Sequence, residues 1–220
     1  MASETDTASS GRAAGALLIF TTLVSLVLLA MHPAETATDF VGVLKEEAAN
    51  QGLNGAVHGG FAALLVVQIV CYAIFSSRLD LHRLASLAGL VFFAAGAMFL
   101  CASLVTDGLV IPAIAAKYAA ASAVKLDFAK SLFVLCGSAI RFLVPIGLAF
   151  QAASIASWGV ALLRGPSRLG GIIGLLFGLG VLGALTVTFA TMNPMVVMGA
   201  MAVRTLWGFV AGWLLMARKI

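Results

Sequence analysis

Six apolar stretches, each long enough to cross about 30 Å of hydrocarbon as a helix, restrict this 220-residue chain to very few folds. Inside lipid every backbone N–H and C=O must be satisfied within its own segment, so runs of this kind predict α-helices. They fall at about 13–31, 55–77, 84–106, 128–163, 170–192 and 194–217. The composition agrees, with 62% hydrophobic and 10% charged residues against about 25% charged in soluble domains. The expected fold class is therefore an all-α integral membrane protein with six transmembrane helices in one domain, 13–217. Residues 1–12, small and polar, read as a disordered cytoplasmic tail. The first run is long and only weakly preceded by positive charge, with Arg12 offset by Glu4 and Asp6. That favours a retained anchor over a cleaved signal peptide.

Loop charge orients the bundle. Arg12, Arg78, Arg83, Arg164, Arg168, Arg218 and Lys219 fall on one side, and Lys45, Lys117 and Lys125 on the other. The positive-inside rule then places both termini in the cytoplasm, N-in and C-in, as expected for a bacterial inner (plasma) membrane. The basic residues lie in links between apolar runs, which excludes a nucleic-acid footprint.

Two segments between the runs are amphipathic, 36–50 and 112–127, and are expected as short interfacial helices on the outer surface. In the first, Phe40, Val43 and Leu44 share a face, and Thr36 and Asp39 have the spacing of a capping box. In the second, Pro112 suits a first helical turn, so the chain is expected to turn between Thr106-Asp107-Gly108 and Pro112. The run 128–163 would be roughly 54 Å long and is expected to project from the bilayer or kink at Pro145. Glycines at every fourth position, Gly170/Gly174/Gly178 and Gly208/Gly212, let backbones approach closely. They serve either to pair spans five and six or to form the face of a homodimer or membrane-complex partner. Cys71, Cys101 and Cys136 lie inside apolar runs and indicate no disulfide framework.

Depth along each helix ranks the polar residues. His32 is 20 residues from Arg12 and His58 is 20 from Arg78, each about 30 Å. Asp107, Arg141 and Asn193 are 23 to 25 residues from the arginines at the other ends of their spans, about 35–37 Å. A polar level at the outer boundary results. Arg204, only 14 residues from Arg218, lies roughly 9 Å beneath that boundary, where facing lipid costs about 2.5 kcal/mol or more. It is expected either to snorkel outward or to pair in a cavity with Asp107. Gln68, near the midplane, and Gln151 suit interhelical hydrogen bonds.

Three functions fit these residues. An outward-facing polar cavity, with Asp107, Arg204, His58, Arg141, Asn193 and Gln68 as ligand-binding residues, would bind or translocate a small polar or anionic solute. A membrane-embedded metal protein or enzyme would use His32, His58 and Asp107 as metal ligands, or the two histidines as axial ligands of a haem. A structural subunit would use the glycine faces to join a larger membrane assembly. No nucleophile motif marks an enzyme, and the sequence itself requires no cofactor.

Overall fold

The computed structural model describes residues 4–33, 36–165, 167–188, 193–217 and 219–220. Among these residues the fold is helical throughout, without strands. The helices are α1 (Glu4–Ala30), α2 (Phe40–Ala49), α3 (Gln51–Arg78), α4 (Leu84–Val105), a π-helical turn (Thr106–Val110), α5 (Ile111–Tyr118), α6 (Ala123–Leu163), α7 (Arg168–Thr188) and α8 (Pro194–Met216). Six helical stretches are long and apolar enough to cross a membrane: α1 from Ser9, α3, the run from α4 through α5, α6, α7 and α8. By length and composition these helices are compatible with a multi-pass membrane protein in a lipid bilayer.

Several boundaries differ from the expected ones; α3 starts at Gln51 rather than 55, and α5 ends at Tyr118 rather than 127. The first helix starts at Glu4, so residues 4–12 extend α1 rather than forming a separate tail. This stretch contains no proline, and helix extension adds a hydrogen bond for each residue fixed. The chain does not turn between Asp107 and Pro112 either: α4 and α5 join through the π turn, in which the Ile111 N–H bonds to the Thr106 carbonyl five residues back. That wider turn accommodates Pro112, which has no N–H to donate, at the start of α5. Lastly, α6 begins at Ala123 and passes through Pro145 as one 41-residue helix. The end of span five expected at 189–192 lies outside the described residues.

The chain clusters into two compact units. The first comprises Met1–Val24, Leu65–Met98 and Pro145–Ile220. Its core is aromatic, with Tyr72 stacked on Trp158 at 4.6 Å and Phe75, Phe93 and Trp207 packed into the same cluster. The Trp158 indole N–H donates to the Ser76 hydroxyl at 2.9 Å, satisfying a polar group that burial would otherwise penalise. The glycine faces are occupied within this unit. A Cβ on Gly174 would lie 3.0 Å from Trp207 of α8, and one on Gly178 would lie 2.5 Å from the Ala156 nitrogen of α6. Gly208 and Gly212 face Thr22 and Ile19 of α1 in the same way. Spans five and six do pack together, and each also uses its glycines against a further helix.

The second unit comprises Ser25–Leu64 and Phe99–Val144. In it α2 packs on α5, burying Leu44, and Phe40 meets Phe133 edge-on at 5.4 Å. Asp39 is the N-cap of α2 and accepts the Gly42 N–H at 2.9 Å. Thr36 does not complete a capping box; it bonds Glu46 instead.

Candidate functional site

The second unit holds a pocket of about 100 Å³ lined by His32, Pro33, Glu46, Glu47, Asn50, Asn54, His58 and Asp107. Three pieces of chain build it. Pro33 follows the end of α1 and, lacking an N–H, closes that helix so that His32 projects past it. Asn50 caps α2, donating its N–H to the Glu46 carbonyl, and α3 begins at the next residue. This one-residue break sets Glu46 and Glu47 beside the first turns of α3, where the Asn54 amide donates to Glu47 at 2.8 Å. The third piece is the π turn that carries Asp107.

Glycine determines how close the π turn comes to α3. A Cβ on Gly108 would stand 2.2 Å from the Cβ of His58, and one on Gly55 would stand 3.3 Å from Leu109. Only with bare backbone at Gly108 can His58 Nε2 and Asp107 Oδ2 come within 3.1 Å of each other. His58 is buried, 5% exposed at its side chain, while Asp107 is 44% exposed and reaches the mouth of the pocket.

The hydrogen bonds fix the imidazole tautomers. His58 Nδ1 lies 2.9 Å from the carbonyl oxygen of Asn54, one turn earlier, and His32 Nδ1 lies 2.9 Å from the Pro33 carbonyl. A carbonyl only accepts, so each Nδ1 carries the proton and donates it. Each Nε2 is then the atom free to take up another partner. At His58 that nitrogen faces a carboxylate oxygen, and two acceptors at 3.1 Å attract only with a proton or a cation between them. The two rings meet edge-on, centroids 4.9 Å apart, and one ligand atom from each of His32, His58 and Asp107 lies within 4.8 Å of the others. The side-chain oxygen of Asn54 is buried and has no partner. Its orientation is set chemically, because the amide NH₂ must face the Glu47 carboxylate.

Glu46 is held by its neighbours. The Thr36 hydroxyl, with the backbone N–H groups of Thr36 and Ala37, holds its carboxyl below the usual carboxylate range. Its negative charge therefore persists at the rim at neutral pH.

The remaining residues singled out in the sequence lie elsewhere. In the first unit Arg204 donates to the Gln68 side-chain oxygen, and the Gln68 amide in turn reaches the Thr21 hydroxyl at 3.4 Å. Asn193 caps α8, accepting the Met195 N–H at 2.9 Å, and Arg141 is exposed on α6. Buried Gln151 leaves both amide atoms without a partner. Glu46, Glu47, Asn50 and Asn54 were not singled out by depth. The available signal was the i, i+4 spacing of Asn54 and His58, together with the two acids on α2. No family model matches the sequence, and neither the curated proteins nor the solved structures contain a match.

Proposed function

We propose that this chain is a multi-pass membrane protein, with both termini cytoplasmic, that binds a small cation in the pocket of the second unit. The observation that carries this reading is the sign of the lining. Three carboxylates, Glu46, Glu47 and Asp107, and two imidazoles line the pocket, with no lysine or arginine among them. Such a lining concentrates positive ions and repels anions. It reverses the charge of solute suggested by Arg204 and Arg141, neither of which is a lining residue. The seven-to-three loop charge bias supports the orientation, and His32, His58 and Asp107 then open toward the outer aqueous phase. The haem alternative is not supported, because about 100 Å³ is well below the roughly 300 Å³ at which pockets for drug-sized ligands begin.

The test is thermal unfolding of the purified protein in detergent at constant ionic strength. Small cations (ammonium, sodium, calcium and manganese) are compared with sulfate and phosphate. A ligand at 100 times its Kd stabilises by about 2.7 kcal/mol, a readily measured rise in Tm. At least one cation is expected to give that rise, and Glu47→Gln and Asp107→Asn to reduce it. A rise with the anions, or none with any cation, would overturn the reading.

A further inference from the structure

We infer that His32, His58 and Asp107 together hold a divalent first-row transition-metal ion. The inference rests on the cation pocket proposed above and names the class of its ligand. Alkali ions, magnesium and calcium take oxygen ligands almost entirely, whereas imidazole favours zinc, iron, cobalt, nickel and copper. Two imidazoles and one carboxylate on a single pocket, with ligand atoms within 4.8 Å, belong to the second group.

The surroundings carry the inference beyond residue type. Histidines that bind a metal usually donate the other ring N–H to a carbonyl or carboxylate, which fixes the tautomer and turns the free nitrogen toward the ion. Both histidines here do so through Nδ1, His58 to Asn54 and His32 to Pro33. At the buried end, the unpartnered Asn54 oxygen offers an acceptor to an ion or to a water bound to it. His58 Nε2 and Asp107 Oδ2, 3.1 Å apart, would subtend about 95° at an ion bound to each at about 2.1 Å, between octahedral and tetrahedral angles. Two ligands on one such ion lie at most about 4.2 Å apart, so exposed His32 completes the set by moving inward by roughly an ångström. Three protein ligands leave at least one position open, and the pocket has room there for a water molecule or a small substrate.

The experiment uses Co²⁺ alone as a spectroscopic probe and Zn²⁺ as its competitor, on the full-length protein in detergent. The wild type is expected to bind one Co²⁺ with the visible absorption of a nitrogen- and oxygen-ligated ion, and to release it to Zn²⁺. His32→Gln and Asp107→Asn should each weaken Co²⁺ binding at least about tenfold. His32 is exposed, so the metal-free Tm of His32→Gln should match the wild type, which separates lost ligation from lost folding. Unchanged Co²⁺ binding in both variants would place the ion elsewhere and overturn the inference. If calcium or ammonium raises the Tm while Co²⁺ gives no spectrum, the metal inference falls and the cation pocket stands. If no cation has any effect, both fall.

Discussion

Gly108 has no room for even a methyl group, because the Cβ of His58 occupies that space. Gly108→Ala is therefore expected to push the π turn away from α3, separating Asp107 from His58. The cost should be about 1–3 kcal/mol, as for other overpacked sites. Gly59, next to His58 in sequence but facing open space, is the control. Gly59→Ala should be neutral or stabilise α3 by up to about 1 kcal/mol. Thermal unfolding of the two variants checks this; equal Tm values would mean that the glycine contact does not set the site. The same contact explains what the sequence left hidden. Counting residues from the arginines gives the depth of His32, His58 and Asp107 but not the direction in which each faces. Depth left Arg204 either to snorkel outward or to pair with Asp107, whereas the structure gives Arg204 a partner in Gln68 and Asp107 one in His58. Facing direction depends on which glycines allow two backbones to meet, and Gly108 was legible only as part of an expected turn.

At the scale of elements, long periodic runs were the most legible. The apolar stretches became helices, Asn193 became a cap and Pro194 opened α8, whereas the N-cap of α2 is Asp39 itself rather than Thr36 of the expected capping box. Pro112 does stand in the first turn of a helix, α5, but the chain does not turn before it, because the five-residue hydrogen bond that joins α4 to α5 has no signature in composition. Helix α2 was legible in position, but of its expected apolar face only Leu44 is buried, Glu47 is buried with it, and the strap that ties residues 36 and 37 to Glu46 was not legible. Because these bonds depress the Glu46 pKa, the order they confer is complete above the unfolded carboxylate pKa near 4.5. It is lost as pH falls through the lower folded value. Amide exchange at Thr36 and Ala37, corrected for intrinsic rate, should show protection at neutral pH that disappears in this acid range. Glu46→Gln should have weaker protection and no acid step; an identical acid step in that variant would assign the effect to another group.

For the whole molecule, the proposed orientation, with both termini cytoplasmic, predicts a pocket that opens to the outer aqueous phase. Orientation and binding can be tested together at Asn50, which lines the pocket and caps α2. The variant carries Asn50→Cys with Cys71, Cys101 and Cys136 changed to alanine. It is treated in intact cells with a membrane-impermeant thiol reagent, with and without Mn²⁺, an ion of low thiolate affinity. A cysteine at Ser167, in the α6–α7 link, serves as the opposite-face control. Labelling of position 50 from outside, slowed by Mn²⁺ but not by sulfate and no longer slowed once Asp107→Asn is added, is the predicted result. Labelling only after lysis, or at one rate whatever ion is present, would contradict it.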